Sequence, residues 1–183
     1  DSNFDITDIE GDYKTLSLNY IGFGNNLTKS FEDFSNFKNL KTLQLNGNDN
    51  ITKVNGFKGI NLFLDKSRYI QNFNFQNLNT LYLSFNQFIT GKDTELFKNI
   101  KVLDLSFTNI NYLSPNITNL ETFIGQECNS LTEFPNYNNL ITLNLSSCQN
   151  LKKINSLKVK NLYCNNCPKL INLEQISTSL VWS

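Results

Sequence analysis

The sequence contains no histidine and no methionine, and it has only one tryptophan and three prolines among 183 residues. Without histidine the chain lacks the commonest general base, the Ser-His and Cys-His nucleophile pairs and every histidine-containing metal site. Carboxylate chemistry stays open, with Asp104 and Glu121 or Glu127 on nearby segments. Exposed carboxylates are more often solvated recognition residues, so we expect no catalytic, metal-binding or cofactor-binding residues and no enzyme activity.

Excess charge and long apolar runs are also missing. Sixteen basic residues balance sixteen acidic residues, which leaves a formal net charge of zero. Such a chain has no positive field to attract nucleic-acid phosphates. No apolar run approaches the roughly 18 residues that a membrane helix needs. We therefore expect neither a nucleic-acid partner nor membrane insertion.

What the sequence does contain is an internal repeat with the template Leu-x-x-Leu-x-Leu-x-x-Asn. The fourth template position recurs at intervals of about 18 to 22 residues after a longer first step. It is occupied by Leu16, Leu43, Leu62, Leu81, Leu103, Phe123, Leu143, Leu162 and Leu180. Alternation around each Leu-x-Leu pair predicts short strands with one buried face, stacked in parallel as a solenoid. We expect residues 1–183 to form a single domain of about nine coils.

The segments NLKTLQLNGN, LNTLYLSFNQF and IKVLDLSFTNI resemble the leucine-rich-repeat family, and the match runs from about Tyr13 to the C-terminus. Phrases such as LYCNNCPKL resemble repeats from the AT-rich genomes of giant viruses, protists or bacteria. The resemblance implies an α/β fold: a right-handed curved coil with a parallel sheet on its concave face and mostly extended or 3-10 convex segments. It also implies that the ninth template residue forms a buried hydrogen-bonding ladder, here Asn48, Ser67, Asn86, Thr108, Cys128, Cys148 and Cys167.

Two longer connections and the two ends depart from the template. Phe31, Phe34 and Phe37 have spacing compatible with one helical face, and a helical turn is also predicted at Glu95 to Lys98, capped by Asp93 or Thr94. Residues 1–12 are expected to cap the first coil. The sequence around Leu180 and Trp182 resembles a strand without a cap, which suggests a truncated end or edge-to-edge self-association there.

The four cysteines include the Cys-x-x-Cys pair Cys164 and Cys167, a spacing found in zinc and redox sites. Their register argues against both functions, because Cys164 falls at a buried leucine position and Cys167 falls at the ladder position. Cys128 and Cys148 are ladder residues on separate coils. We expect reduced, buried, structural thiols.

The predicted binding surface consists of residues that alternate with the buried leucines and so point outward from the sheet. Exposed aromatic residues collected in one patch are typical of interface centres. The residues predicted to contact a partner are Phe63, Tyr82, Phe85, Asp104, Phe107, Ile124 and Tyr163. An alternative is that Phe85 and Phe107 fold over the sheet edge and only cover neighbouring loops.

These features predict a protein-recognition module that binds a macromolecular partner through the concave face. One alternative is an extracellular receptor or adhesin ectodomain that binds protein or glycan, and another is the substrate-recognition arm of a larger enzyme. Sequons occur at Asn26, Asn50, Asn116 and Asn144, no more often than chance gives in a chain so rich in Asn, Ser and Thr. The lack of disulfide caps favours the cytoplasm or a host-cell interior, while the cell surface stays open.

Overall fold

The computed structural model describes residues 9, 11–20, 33–73, 75, 77–156 and 158–171. Its strands are short and regularly spaced. Eight of them form one parallel sheet in the order β1-β2-β3-β4-β5-β6-β8-β10, and β7 pairs with β9 in a second, two-stranded sheet. The strands are β1 (Thr15–Ser17), β2 (Thr42–Gln44), β3 (Asn61–Phe63), β4 (Thr80–Tyr82), β5 (Val102–Asp104), β6 (Thr122–Ile124), β7 (Glu133–Phe134), β8 (Thr142–Asn144), β9 (Lys153–Ile154) and β10 (Asn161–Tyr163).

The repeat template explains the main sheet. The central residue of every strand is the fourth template residue, and these residues face one another across the sheet, as Leu43 does with Leu62 and Leu62 with Leu81. They are buried, and in β2 to β6, β8 and β10 both flanking residues are half-exposed. Successive side chains on a strand point to opposite faces, so one apolar residue per strand is enough to build a continuous core. The chain is therefore a parallel β-solenoid, as the sequence predicts.

Helix contributes almost nothing to this architecture. In the described part of the chain the one helix is a 3-10 helix at Gly91–Leu96. The α/β class expected from the resemblance is thus wrong for these residues, which form a β-solenoid joined by turns. Coils of about 20 residues leave no room for an α-helix on the return path. None of the described helical segments is long and apolar enough to cross a membrane.

A helical turn lies near the one predicted at Glu95 to Lys98, but it spans Gly91–Leu96, so it both begins and ends earlier. Thr90 is its N-cap, and the Asp93 carboxylate accepts hydrogen bonds from both the backbone N–H and the hydroxyl of Thr90, at 2.8 and 2.6 Å. Asp93 is therefore the third helical residue of a capping box and not the cap itself. The Thr94 side chain donates to the Gly91 carbonyl and is buried.

The helical face predicted from Phe31, Phe34 and Phe37 is not formed in residues 33–40, which are turns and an isolated parallel bridge between Asp33 and Asn55. Phe31 lies outside the described residues. Phe34 is 1% exposed and its ring centroid lies 6.4 Å from that of Phe37. Both rings thus pack against the core from turns. Aromatic residues three positions apart can face the core from consecutive turns as well as from a helix.

The polar ladder implied by the resemblance is present. Its residues are buried, apart from the half-buried Cys167. Their side chains donate to backbone carbonyls: Asn48 Nδ2 lies 2.7 Å from the Leu18 oxygen, and Cys148 Sγ lies 3.1 Å from the Gly125 oxygen. Carbonyls at the edge of a turn otherwise stay unsatisfied in the core, so each coil needs such a donor.

Most residues at the two ends of the predicted domain lie outside the described residues. Of the expected cap at 1–12, only residues 9, 11 and 12 are described. The last expected coil, with Leu180 and Trp182, lies outside the described residues. In the described chain, the main sheet has eight strands, with central residues from Leu16 to Leu162.

Candidate functional site

The residue after each buried central leucine forms a column across the outward face of the main sheet. In strand register the column reads Ser17, Gln44, Phe63, Tyr82, Asp104, Ile124, Asn144 and Tyr163. Parallel strands lie about 4.8 Å apart, so equivalent side chains on neighbouring coils stand side by side. The structure therefore places five of the predicted contact residues in one row.

A second column has a backbone conformation that the sequence hides. The fourth residue after each central position has a positive φ in all eight coils; the column comprises Tyr20, Gly47, Lys66, Phe85, Phe107, Glu127, Ser147 and Asn166. Its N–H groups donate to the next coil, as Phe85 N does to Ser106 O at 2.9 Å and Phe107 N to Gln126 O at 2.8 Å. The left-handed region costs a non-glycine residue roughly 1–2 kcal/mol. We call these eight residues the left-handed column.

Four aromatic residues of the two columns form two stacked pairs. Phe63 and Tyr82 have ring centroids 5.0 Å apart and planes 13° from parallel, and both are half-buried. Phe85 and Phe107 are closer, at 4.3 Å and 6°, and they remain 37% and 38% exposed. Nearly parallel stacking at these distances is favourable for aromatic rings. We call them the inner pair and the edge pair.

The other predicted contact residues have different surroundings. Asp104 is the strand neighbour of Tyr82, and Ile124 is the strand neighbour of Asp104 on the next coil. Tyr163 lies at the far end of the described sheet, separated from Ile124 by Asn144. The surface thus continues the inner pair through Asp104 to Ile124, while Tyr163 stands apart from the aromatic pairs.

Two carboxylates lie beside the rings. Asp104 Oδ1 accepts a hydrogen bond from Ser106 N at 2.8 Å, and Asp65 Oδ1 accepts one from Ser84 N at 3.0 Å. Burial raises the pKa of Asp104, the hydrogen bonds from Ser106 oppose that shift, and the charge of Asp65 adds to it. Burial also raises the pKa of Tyr82, with further contributions from the charges of Asp104 and Asp65. Both carboxylates therefore act on the same small region around Tyr82.

Asp65 belongs to a second ladder that sequence reasoning missed. Polar residues occupy the third place after the central position in every described coil: Asn19, Asn46, Asp65, Ser84, Ser106, Gln126, Ser146 and Asn165. In the first coils each side chain accepts the N–H of its successor, as Asn19 Oδ1 does from Asn46 N and Asn46 Oδ1 from Asp65 N, both at 2.9 Å. Every residue of this column is polar, and that pattern in the sequence could have indicated the second ladder. The column brings Asp65 close enough for its charge to act on Tyr82 and Asp104, although Asp65 was not among the predicted contacts.

The four cysteines are free thiols. Burial raises the pKa of Cys128 to about 11 and that of Cys148 to about 12, and it raises the pKa values of Cys164 and Cys167 as well. Thiols that hold their protons at neutral pH are poor nucleophiles and poor metal ligands. Among the described residues no group of three or more Cys, Asp or Glu side chains is arranged to hold a metal ion. Cys164 and Cys167 pack against the core but are only half-buried, so the expectation that all four thiols are buried is wrong for this pair.

Native alkylation tests this assignment. With iodoacetamide at pH 8, we expect Cys128 and Cys148 to stay unmodified in the folded protein and to react fully in urea, because burial blocks access and suppresses the thiolate. The half-buried Cys164 and Cys167 should label slowly and provide an internal comparison. Peptide mass spectrometry measures each site. Fast native labelling of Cys148 would contradict the buried ladder.

A shallow depression away from the aromatic pairs, with a volume of about 350 Å³, is lined by Asn136, Tyr137, Asn138, Asn155 and Lys158. The Tyr137 hydroxyl is buried and donates to the Ser114 carbonyl at 2.7 Å. Burial raises the pKa of Tyr137. The tyrosine is therefore a structural donor, and amides dominate what the depression offers to a ligand.

Comparison with known proteins adds no relative to this description. No protein-family model, no curated protein sequence and no solved structure matches the chain.

Proposed function

We propose that this chain is a leucine-rich-repeat-type recognition module that binds a protein partner through the outward face of its main sheet, taken as the concave face, and that it catalyses no reaction. The observation that carries this proposal is the edge pair. Two phenylalanines on neighbouring coils are over a third exposed and also hold a positive φ. The repeat imposes this conformation on all eight residues of the column, and bulky side chains rarely occupy it.

The cost at these positions is avoidable within this fold. The same column holds Gly47 and Asn166, residue types that tolerate the left-handed region better than phenylalanine. Placing two exposed rings there serves neither the core nor the backbone. A binding role explains both the exposure of the two rings and their unfavourable backbone conformation. Aromatic side chains exclude water when a partner docks, and they contribute disproportionately to the binding energy of protein interfaces.

The edge pair can be removed with little structural cost. In Phe85→Asn/Phe107→Asn, relief of backbone strain offsets the lost ring contact, so we expect the free energy of unfolding to change by less than about 2 kcal/mol. Peptides selected from a random display library on the wild-type protein should bind this variant at least tenfold more weakly. Fluorescence anisotropy measures the affinity and urea denaturation the stability.

The matched control is Glu127→Asn/Ser147→Asn, which introduces the same residue type in the same column on the two coils that directly follow the edge pair. This control should keep the affinity of the wild-type protein. If the Phe85→Asn/Phe107→Asn variant binds the peptides as tightly as the control does, the edge pair is not part of the interface. Failure of the library to yield any peptide specific for the folded protein would count against the recognition function itself.

A second candidate function is that of an extracellular receptor or adhesin ectodomain that binds protein or glycan. The observation in its favour is that the sequon residues Asn50 and Asn116 are exposed. Glycan mass on these two residues in protein from the native source would favour this alternative. The recognition arm of a larger enzyme is the third alternative, with catalysis outside this chain.

A further inference from the structure

The carboxylates beside the aromatic pairs have no basic partner in the described chain. Among the described residues, Arg68 forms an ion pair with Asp49, and Lys101 forms one with Glu121. Neither pair includes Asp65 or Asp104. Lys66 precedes Phe85 in the left-handed column and is exposed, but it forms no ion pair with either carboxylate. Two negative charges therefore stand at this surface without a compensating cation from the described residues.

Their position relative to the rings is defined by the repeat. Asp104 stands next to Tyr82 in strand register, at the end of the inner pair. Asp65 follows Phe63 by two residues, and its carboxylate reaches Ser84 N, two residues after Tyr82. The edge pair begins one residue later, at Phe85. Asp104 thus continues the row of the inner pair, and Asp65 holds a template position between that row and the left-handed column that contains the edge pair.

We propose that this surface, formed by the inner pair, the edge pair and the carboxylates of Asp65 and Asp104, docks a peptide segment that carries arginine or lysine. This inference rests on the proposed function and adds the chemistry of the partner. A guanidinium or ammonium group is attracted by ring faces and by carboxylates at once. Arginine fits best, because its planar group stacks on an aromatic ring while its N–H groups pair with a carboxylate.

Asp104 is already partly desolvated in the free protein, before any partner binds. Asp104 is half-buried, and desolvation disfavours its charge even before any ligand arrives. A cation placed beside it removes that penalty and also offsets the repulsion from Asp65. A neutral or acidic segment would instead remove water from both carboxylates without supplying a positive charge that offsets the cost. Charge complementarity therefore selects a basic segment over other partners that merely offer apolar surface.

The test uses peptides selected from the random display library, each synthesised in two forms that differ only by arginine or its neutral isostere citrulline. We expect the selected peptides to be enriched in arginine and lysine, the arginine form to bind at least tenfold more tightly than the citrulline form, and that preference to shrink as salt concentration rises. Citrulline keeps the shape and planarity of the side chain, so the difference isolates its charge.

Variants of the protein complete the test. Asp65→Asn/Asp104→Asn keeps the shape of both side chains. It should lower the affinity for the arginine form of the peptide at least tenfold and leave the affinity for the citrulline form unchanged. The control Asp49→Asn/Glu121→Gln removes two carboxylates that already have basic partners, and it should have little effect. Circular dichroism and urea denaturation verify that each variant is folded.

The outcomes separate this inference from the proposed function. Selected peptides without basic residues, or equal binding of the arginine and citrulline forms, overturn the basic-segment inference. If such peptides still lose affinity in Phe85→Asn/Phe107→Asn, the recognition function stands without it. If binding proves to require a neutral oligosaccharide instead, a glycan is the occupant and the basic-segment inference is wrong.

Discussion

Asn48→Asp is expected to destabilise the protein by about 3–5 kcal/mol at pH 7, the cost of an unpaired buried charge. Asn48 is 3% exposed, and its amide nitrogen lies 2.7 Å from the Leu18 oxygen and 2.9 Å from the Leu45 oxygen. An aspartate has nearly the same shape, but its ionised carboxylate only accepts hydrogen bonds. It would therefore place a negative charge against two carbonyl oxygens in the core.

The pH dependence distinguishes this charge effect from loss of shape. Burial without a cation raises the pKa of the new carboxyl group in the folded state above its unfolded value of about 3.9. The neutral form then favours folding, so the variant keeps most stability below about pH 4 and loses it as the pH rises through the folded-state pKa. Urea denaturation of both proteins from pH 4 to 8 measures the widening gap.

A matched control makes the same chemical change on the surface. Asn136 is exposed, and its amide nitrogen donates to the side-chain oxygen of the exposed Asn138 at 3.3 Å. We expect Asn136→Asp to shift the unfolding midpoint little at any pH in this range. A loss of less than 1 kcal/mol in Asn48→Asp at pH 7 would mean that the ladder contributes little to stability.

The sheet was predictable from sequence because a single physical rule generates it. One buried residue repeats on each coil, and parallel stacking is how short strands with that repeat bury their leucines. The ladder was predictable through the family resemblance, which the register of Cys128, Cys148 and Cys167 supported. The helical face was mispredicted because the spacing of Phe34 and Phe37 suits both a helix and a turning coil, and periodicity alone does not separate them.

The binding surface was predictable only in part. Alternation along the strands places Phe63, Tyr82 and Asp104 on the outward face. The left-handed column was hidden, because residues that mark a positive φ, such as Gly47, are outnumbered there by residues that usually avoid it. Asp65 was missed for a related reason: its position depends on where the chain turns after the strand, and turn geometry does not follow from a period-2 pattern.

Gly125→Leu, which restores the repeat template at its sixth position, is expected to destabilise the protein by about 3 kcal/mol or more through overpacking. In this coil Phe123 occupies the central position, where the other described strands have leucine, and its ring is fully buried. A Cβ at position 125 would collide with Phe123 Cε1 and lie 3.0 Å from Cζ. The glycine is not among the residues with positive φ, so side-chain volume is the only obstacle.

The compensation should appear in a double-mutant cycle. Phe123→Leu alone leaves a cavity that Gly125 cannot fill and should cost about 1–2 kcal/mol. Phe123→Leu/Gly125→Leu gives this coil the packing of its neighbours and should return to within about 1 kcal/mol of the wild-type protein. The coupling between the two sites would then be about 3 kcal/mol or more, at the upper end of the range expected for residues in direct contact.

The neighbouring coil supplies the reverse experiment. Leu103 and Leu105 are both fully buried there, so Leu103→Phe should overpack the core, and Leu103→Phe/Leu105→Gly should recover much of the loss. Additive effects in both cycles would show that the core yields to extra volume by relaxing. Coupling in both would show that each coil accepts one large side chain or two leucines, because the stacked coils on either side keep the space per coil constant.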